Sequence, residues 1–277
     1  MPAFPLALLR LDGVGRVSAH RVLDHFDSVE AVRATPREQV ILRLKGMPRA
    51  AATVEKLFGE AMDEALAKAT GQLEALASKR IAVLTRGGDT WPSRLDDLPP
   101  ADRPVALWAY GHTDALTPGL AILGRKGLEV PAFEAATDLA NRMAPGGIVT
   151  LMSDGFDLAI QKPALGAGGR VVAVAACGLA KLEPSLRPGA TALIRAGGCL
   201  VSPWPMPHGP FEYDEREAAL VAAALAGAVV GAGVAPDAPE ARALAWATEH
   251  RPTFALASGP DGIPVRDPAT IAEALAL

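Results

Sequence analysis

Hydrophobic positions recur at helical spacing up to about residue 80, and beyond it they gather into short uninterrupted runs. In "LDGVGRVSAHRVLDHF", residues 11–26, Val17, Ala19, Val22, Leu23 and Phe26 share much of one face of a predicted helix. "FPLALLRL" before it supplies a short apolar partner, and Gly13-Val14-Gly15 between them predicts a tight turn in which both glycines reach positive φ. Gly46-Met47-Pro48 reads as an ordinary helix start. "VEKLFGEAMDEALAKATGQLEALASKR" then reads as one long amphipathic helix interrupted near Gly71.

The period then changes. Apolar runs bounded by glycine or proline stand at 81–85, 105–111, 120–124, 147–152, 170–176, 199–202, 227–233 and 252–258. Between most of them lie helical stretches such as "VPAFEAATDLANRMA", "PSLRPGATALIRAG", "REAALVAAALA" and "PEARALAWATEH". Strands alternating with helices of that length predict βαβ units and a mostly parallel sheet covered on both faces. The expected fold is α/β, with a doubly wound, Rossmann-like sheet over residues 81–277 preceded by a small helical domain over 1–80. In such sheets, ligands bind beyond the carboxyl ends of the strands.

Composition supports a globular chain: 277 residues, 50% hydrophobic and 21% charged. No apolar run has the length of a membrane span, since "LVAAALAGAVVGAGVA" is broken by glycines. The N-terminus lacks the basic-then-apolar order of a signal peptide, so a cytoplasmic protein is expected. Cys177 and Cys199 lie far apart without metal-type spacing and read as small buried hydrophobes. The net charge of −4 does not advertise a nucleic-acid binder, but it is unevenly spread. Residues 1–50 carry eight Lys/Arg against five acids, leaving −7 for the remainder.

A helix N-terminus opened by glycines offers backbone N–H groups to an anion. On those residues the segment resembles a helix-hairpin-helix motif, in which Gly13, Gly15, Arg16 and Ser18 would hold a DNA phosphate. The same residues also serve as a plain turn in a small helical, SAM-like bundle. The strand-end segments, taken in order, resemble the DNA-processing protein A (DprA/Smf) family. "DTWPSRLDDLPPADRPVALWAYGH" is similar to the family's Tyr-Pro-x-x-Leu, Pro-Pro, Leu-Tyr-x-x-Gly entry segment, and "LAILGRKGLEVPAF" to its Val-Gly-Ser/Thr-Arg strand and loop. "LMSDGFDLAIQKPAL" lies over Ser-Gly-x-Ala-Arg-Gly-Ile-Asp-x-x-Ala-His, and "PHGPFEYDERE" over Phe-Pro-x-Arg-Asn-Arg. The resemblance implies a single-stranded DNA-binding protein of natural transformation. Such a protein protects incoming DNA, loads RecA recombinase onto it and acts as a homodimer. It has no enzymatic activity, cofactor, metal or membrane partner.

Departures from the family pattern are as informative. Thr150-Leu151 stand for Ser-Gly, Asp154 for an arginine, Gln161 for the histidine, and Asp214-Glu215-Arg216 for Arg-Asn-Arg. Two arginines replaced by acids put repulsion where a polyanion needs attraction. The residues left to form a DNA pocket are Gly124, Arg125, Lys126, Gly155, Asp157, Lys162 and Arg216. Gly124-Arg125-Lys126-Gly127 sits between a strand and a helix, the right context for a phosphate cradle, although it lacks the third glycine of a dinucleotide fingerprint. Each has a plainer reading: a solvated loop, a helix N-terminal carboxylate at Asp157, a surface ion pair for Lys162 and Arg216.

Trp204 offers either a base-stacking platform or a packed residue in a proline-rich lid. "EAALVAAALAGAVVGAG" offers either a dimer surface or a core helix and strand. His20, His25, His112, His208 and His250 form no zinc pattern, and Ser153-Asp154-Gly155 lacks the G-x-S-x-G nucleophile elbow. The family's winged-helix domain is not expected after Ser258. The alternatives are a divergent paralogue that binds a nucleotide or partner protein with its DNA grip reduced or lost, and a dimeric structural paralogue without a ligand.

Overall fold

In the computed structural model the described residues are 2–117, 119–124, 128–256, 263–264, 271 and 273. They fall into two compact units. The first comprises Met1–Ser93 with Leu98–Leu107, the second Arg94–Asp97 with Trp108–Leu277.

The first unit is helical: α1 (Ala3–Leu8), α2 (Arg16–Leu23), α3 (Val29–Ala34), α4 (Arg37–Arg43), α5 (Ala50–Phe58) and α6 (Glu60–Ala77), followed by the strand β1 (Ile81–Thr85). Phe4, Leu8, Val22, Val32, Val40, Leu57 and Met62 are buried and form its core. Ser28 opens α3 by accepting the Ala31 N–H at 3.1 Å, which satisfies one of the donors a helix start leaves unpaired.

Two sequence readings are corrected here. The long helix breaks at Gly59, not near Gly71. Gly59 adopts an extended conformation (φ −97°, ψ 177°) that ends α5 and opens α6, while Gly71 lies inside α6 with open space around it. A glycine costs a helix only about 1 kcal/mol, and packing of α6 against α1 offsets it. Val17 does not share the buried face of α2, being 54% exposed, whereas Ala19, Val22 and Phe26 do.

The second unit is a doubly wound sheet. Its strands are β2 (Ala106–Gly111), β3 (Leu120–Gly124), β4 (Ile148–Leu151), β5 (Val171–Val174), β6 (Cys199–Ser202), β7 (Ala228–Ala232), β8 (Thr253–Leu256) and β9 (Ile263–Pro264). They run in the order β2-β6-β5-β4-β3-β7-β8-β9. Every neighbouring pair is parallel except β2 with β6. The strands are buried on both sides and therefore read as continuous apolar runs. The helices are α7 (Val130–Met143), α8 (Phe156–Gly166), α9 (Arg187–Arg195), α10 (Asp214–Leu225) and α11 (Ala241–His250). One core joins Leu120, Ile122, Ile148 and Val171 of the sheet to Leu139 and Met143 of α7 and Ile160 of α8.

α10 packs against β3, β4 and β5, and all of Ala218–Leu225 is buried within the single chain. The Ala/Gly-rich segment is thus a core helix and strand, which leaves no free surface there for a dimer. Among the described residues no helix is long and apolar enough to cross a membrane.

Candidate functional site

Sheet order reverses at β3: β4, β5 and β6 extend to one side and β7, β8 and β9 to the other. Loops leaving adjacent strands on opposite sides of such a point part and leave a crevice. A cavity of about 510 Å³ opens there. The ends of β3, β4 and β5 contribute Gly124, Leu151 and Val174, and the start of α8 contributes Phe156 and Asp157. The Phe156 ring covers Gly124 so closely that a Cβ on that glycine would lie 2.5 Å from it.

The turn from β4 into α8 is set by hydrogen bonds. Gly155 precedes α8 with φ +75°, a conformation that glycine adopts without steric cost. Asp157 is 2% exposed, accepts the Leu151 N–H at 3.3 Å and accepts a hydrogen bond from the Ser153 hydroxyl. Burial pushes its carboxyl up to about 7; these two donors oppose the rise, and the charges of Glu240 and Glu215 add to it. Asp157 therefore shapes the turn and touches no arginine in the described contacts. Gln161, buried behind it, donates at 3.0 Å to both the Thr150 hydroxyl and the Leu151 carbonyl. The substitutions at Thr150 and Gln161 thus complement each other.

Of the expected cations, the two described ones, Lys162 and Arg216, are exposed and do not line the cavity. Arg125 and Lys126 lie outside the described residues. The described lining holds five acids instead: Asp154, Asp157, Glu183, Glu215 and Glu240. Burial, then the charge of Glu215, raises the Glu240 carboxyl as well.

Asp214 takes a different part from the one its place in the motif implied. Fully buried, it accepts the Phe211 N–H at 2.9 Å and bonds His208 Nε2 at 2.9 Å, folding the proline-rich segment back on itself. Trp204 is only 4% exposed and stacks on His208 at 5.3 Å, so it is a packed residue and not a platform. The exposed aromatic pair is Phe211 with Tyr213, stacked at 5.7 Å, and Phe211 lines the cavity. Phe211 lies in a segment that resembles a family motif, but the sequence reading did not single it out. Glu183, Glu215 and Glu240 come from separate segments, and no local pattern joins them.

In the first unit a tight turn precedes α2 at Gly13, which has φ +75°. Gly15 departs from expectation. It is extended (φ −86°, ψ −179°), as any residue can be, and precedes the first turn of α2, which contains Arg16 and Ser18. Val14 N–H donates to the Leu11 carbonyl at 3.0 Å and closes the turn. Lys56 donates to the Asp12 carbonyl at 2.5 Å, the Arg49 guanidinium lies near Gly13, and Arg16 donates to the Ala101 carbonyl at 3.0 Å. Three cations thus surround the hairpin.

Fold and crevice define a Rossmann-like α/β protein with a cavity at the strand ends. The sequence pattern of the DNA recombination-mediator protein A family matches residues 82–242, more than half of the chain, and the chain belongs to that family. No protein among the functionally curated sequences matches significantly. The X-ray structure of DNA processing protein A (DprA) from Streptococcus pneumoniae superposes with a TM-score of 0.59 at 16% identity, covering 95% of this chain and 91% of that one. DNA processing protein A from Helicobacter pylori, described for its single-stranded DNA binding mode, gives 0.56 at 20% identity over 70% of this chain and 87% of that one. At these identities the likeness is one of fold.

Proposed function

We propose that the chain is a single-stranded DNA-binding recombination mediator that protects incoming DNA, loads RecA recombinase and acts as a homodimer. The observation that carries this reading is the family match over 82–242, which takes in β3, β4, β5 and the loops that leave them. The acidic lining disfavours phosphate among the described residues of the cavity, so we assign the polyanion to two cationic features, one in each unit. One is the Gly124-Arg125-Lys126 loop, the other the hairpin of Gly13, Gly15, Arg16 and Ser18 with Arg49 and Lys56. Backbone amides and Lys/Arg at such sites hold phosphates without reading bases. Gly155 and Asp157 then serve to hold the turn, and Lys162 and Arg216 are peripheral.

The test is fluorescence anisotropy of a labelled oligo-dT strand with the full chain at two salt concentrations. Salt-sensitive binding that falls in the Arg125→Ala, Lys126→Ala variant supports the loop, and binding that falls in Arg49→Ala, Lys56→Ala supports the hairpin. Stimulated assembly of RecA on coated single strands tests the loading step. The five acids of the cavity favour a second reading, a paralogue whose DNA grip is reduced; of the two ligand classes considered for such a paralogue, a nucleotide or a partner protein, they favour the partner protein, since they repel a nucleotide's phosphate as they repel that of DNA. Absence of salt-sensitive DNA binding selects it.

A further inference from the structure

A second cavity, of about 220 Å³, lies wholly within the first unit. Val17, His20, Arg21 and Asp24 are spaced to share one face of α2 and its C-terminal cap, and Gly46, Met47, Pro48 and Pro100 complete the lining. The space is smaller than the roughly 300–1,000 Å³ of common small-molecule sites and suits a single planar ring. Its walls are chiefly apolar, from Val17, Met47 and the two prolines. His20 makes one polar demand on whatever enters. The residue is 1% exposed, and its Nε2 lies 2.9 Å from the Arg103 carbonyl oxygen, which can only accept. Nε2 therefore carries the proton, and burial keeps the ring neutral by lowering its pKa to about 4. Nδ1 is left as an acceptor, buried and without a hydrogen-bond partner among the described residues. A ring that brings an N–H gains by satisfying it.

The surroundings are cationic. Arg21 donates to the Lys45 carbonyl next to Gly46, Arg16 donates to the Ala101 carbonyl next to Pro100, and Arg49 follows Pro48 directly and lies near Gly13 of the hairpin. Among the described lining residues the one acid is Asp24, which pairs with Arg86. A flat ring with an N–H, tethered to negative charge, matches a base of a single-stranded nucleic acid. An indole of a protein partner meets the same acceptor but brings no charge for the arginines.

We infer that this cavity takes one unstacked base of a single strand whose phosphates lie on the hairpin, and that it prefers thymine or guanine. Thymine N3–H and guanine N1–H stand at the centre of the pairing edge and donate to His20 Nδ1. Cytosine and adenine present a nitrogen lone pair at that place and meet another lone pair. The inference rests on the DNA reading of the hairpin and adds a choice of base to it.

The experiment measures anisotropy of labelled oligo-dT and oligo-dC of equal length with the full chain at fixed salt. Oligo-dT is expected to bind roughly five- to tenfold more tightly, the effect of one hydrogen bond to a buried acceptor. An oligomer of N3-methylthymine, which lacks the donor, should lose that advantage on the wild type. His20→Phe keeps a ring but removes the acceptor, and it should bring oligo-dT down to the level of oligo-dC while leaving oligo-dC unchanged. Should His20→Phe fail to fold, Val17→Trp, at an exposed position on the rim, covers the cavity and reads the same loss. Salt-sensitive but equal binding of oligo-dT and oligo-dC by the wild type would overturn the base pocket and leave the DNA reading standing. A preference that persists in the folded variants would do the same. Binding of neither strand would overturn both. Thermal stabilisation by N-acetyltryptophanamide and not by thymidine would reassign the cavity to a protein partner and overturn the base.

Discussion

Replacing Asp157 by asparagine separates the charge of this carboxyl from its hydrogen bonds. Asparagine Oδ1 still accepts the Leu151 N–H, and its amide donates to the Ser153 hydroxyl, so the β4–α8 turn retains both contacts. The charge is another matter. Burial moves the carboxyl from 3.8 to about 7, so the folded protein holds a proton that the unfolded chain releases above about pH 4. The contribution of Asp157 to stability is therefore greatest at or below pH 4, falls as pH rises through that interval and levels off above about pH 7. That rise amounts to about 4 kcal/mol at the plateau, an upper figure for a group held by two donors. The assay is urea unfolding of the full chain at several pH values, followed by the fluorescence of Trp108, Trp204 and Trp246 in the second unit. The wild type and Asp157→Asn should match near pH 4, and the variant should be more stable by several kcal/mol at pH 8. A gap that does not change with pH, or a variant weaker at pH 8, would refute the assignment of a buried, reluctantly ionised carboxyl.

Three further outcomes are expected. His20 in the first unit is 1% exposed and bonds the Arg103 carbonyl through Nε2 at 2.9 Å; burial lowers its pKa from 6.5 to about 4. Its unfolded form takes up a proton first, so stability falls by about 3 kcal/mol between pH 6.5 and pH 4, and His20→Asn should flatten that limb of the urea-unfolding profile. At Gly178 a Cβ would lie 2.1 Å from the Pro205 carbonyl oxygen, so Gly178→Ala should cost at least about 2 kcal/mol, seen as a lower unfolding midpoint. Gly71→Ala, in open space on α6, should stabilise the first unit by about 0.5–1 kcal/mol, read as a higher unfolding midpoint for the transition reported by Trp91.

The sheet was legible because a parallel strand buried on both faces writes itself as an unbroken apolar run. The runs at 120–124 and 199–202 coincide with β3 and β6 residue for residue. The hairpin was legible from Gly13, where the chain needs a positive φ, and the family from the order of the strand-end loops. The choice between Gly59 and Gly71 as the helix break was not legible, because both residues favour a break locally and only the packing of α1 on α6 keeps the chain helical at Gly71. Nor was the fate of Asp214: its motif position pointed to the cavity, but the fold of the proline-rich segment directs its carboxylate to His208 and Phe211.

The sequence by itself determined the class of fold, the family and the presence of a crevice at the strand ends, since these follow from periodicity and from local segments in a fixed order. Only the tertiary structure decided what faces that crevice. Asp154, Glu183, Glu215 and Glu240 are distant along the chain, and their joint electrostatic field exists only once four loops and helix starts converge on one cavity.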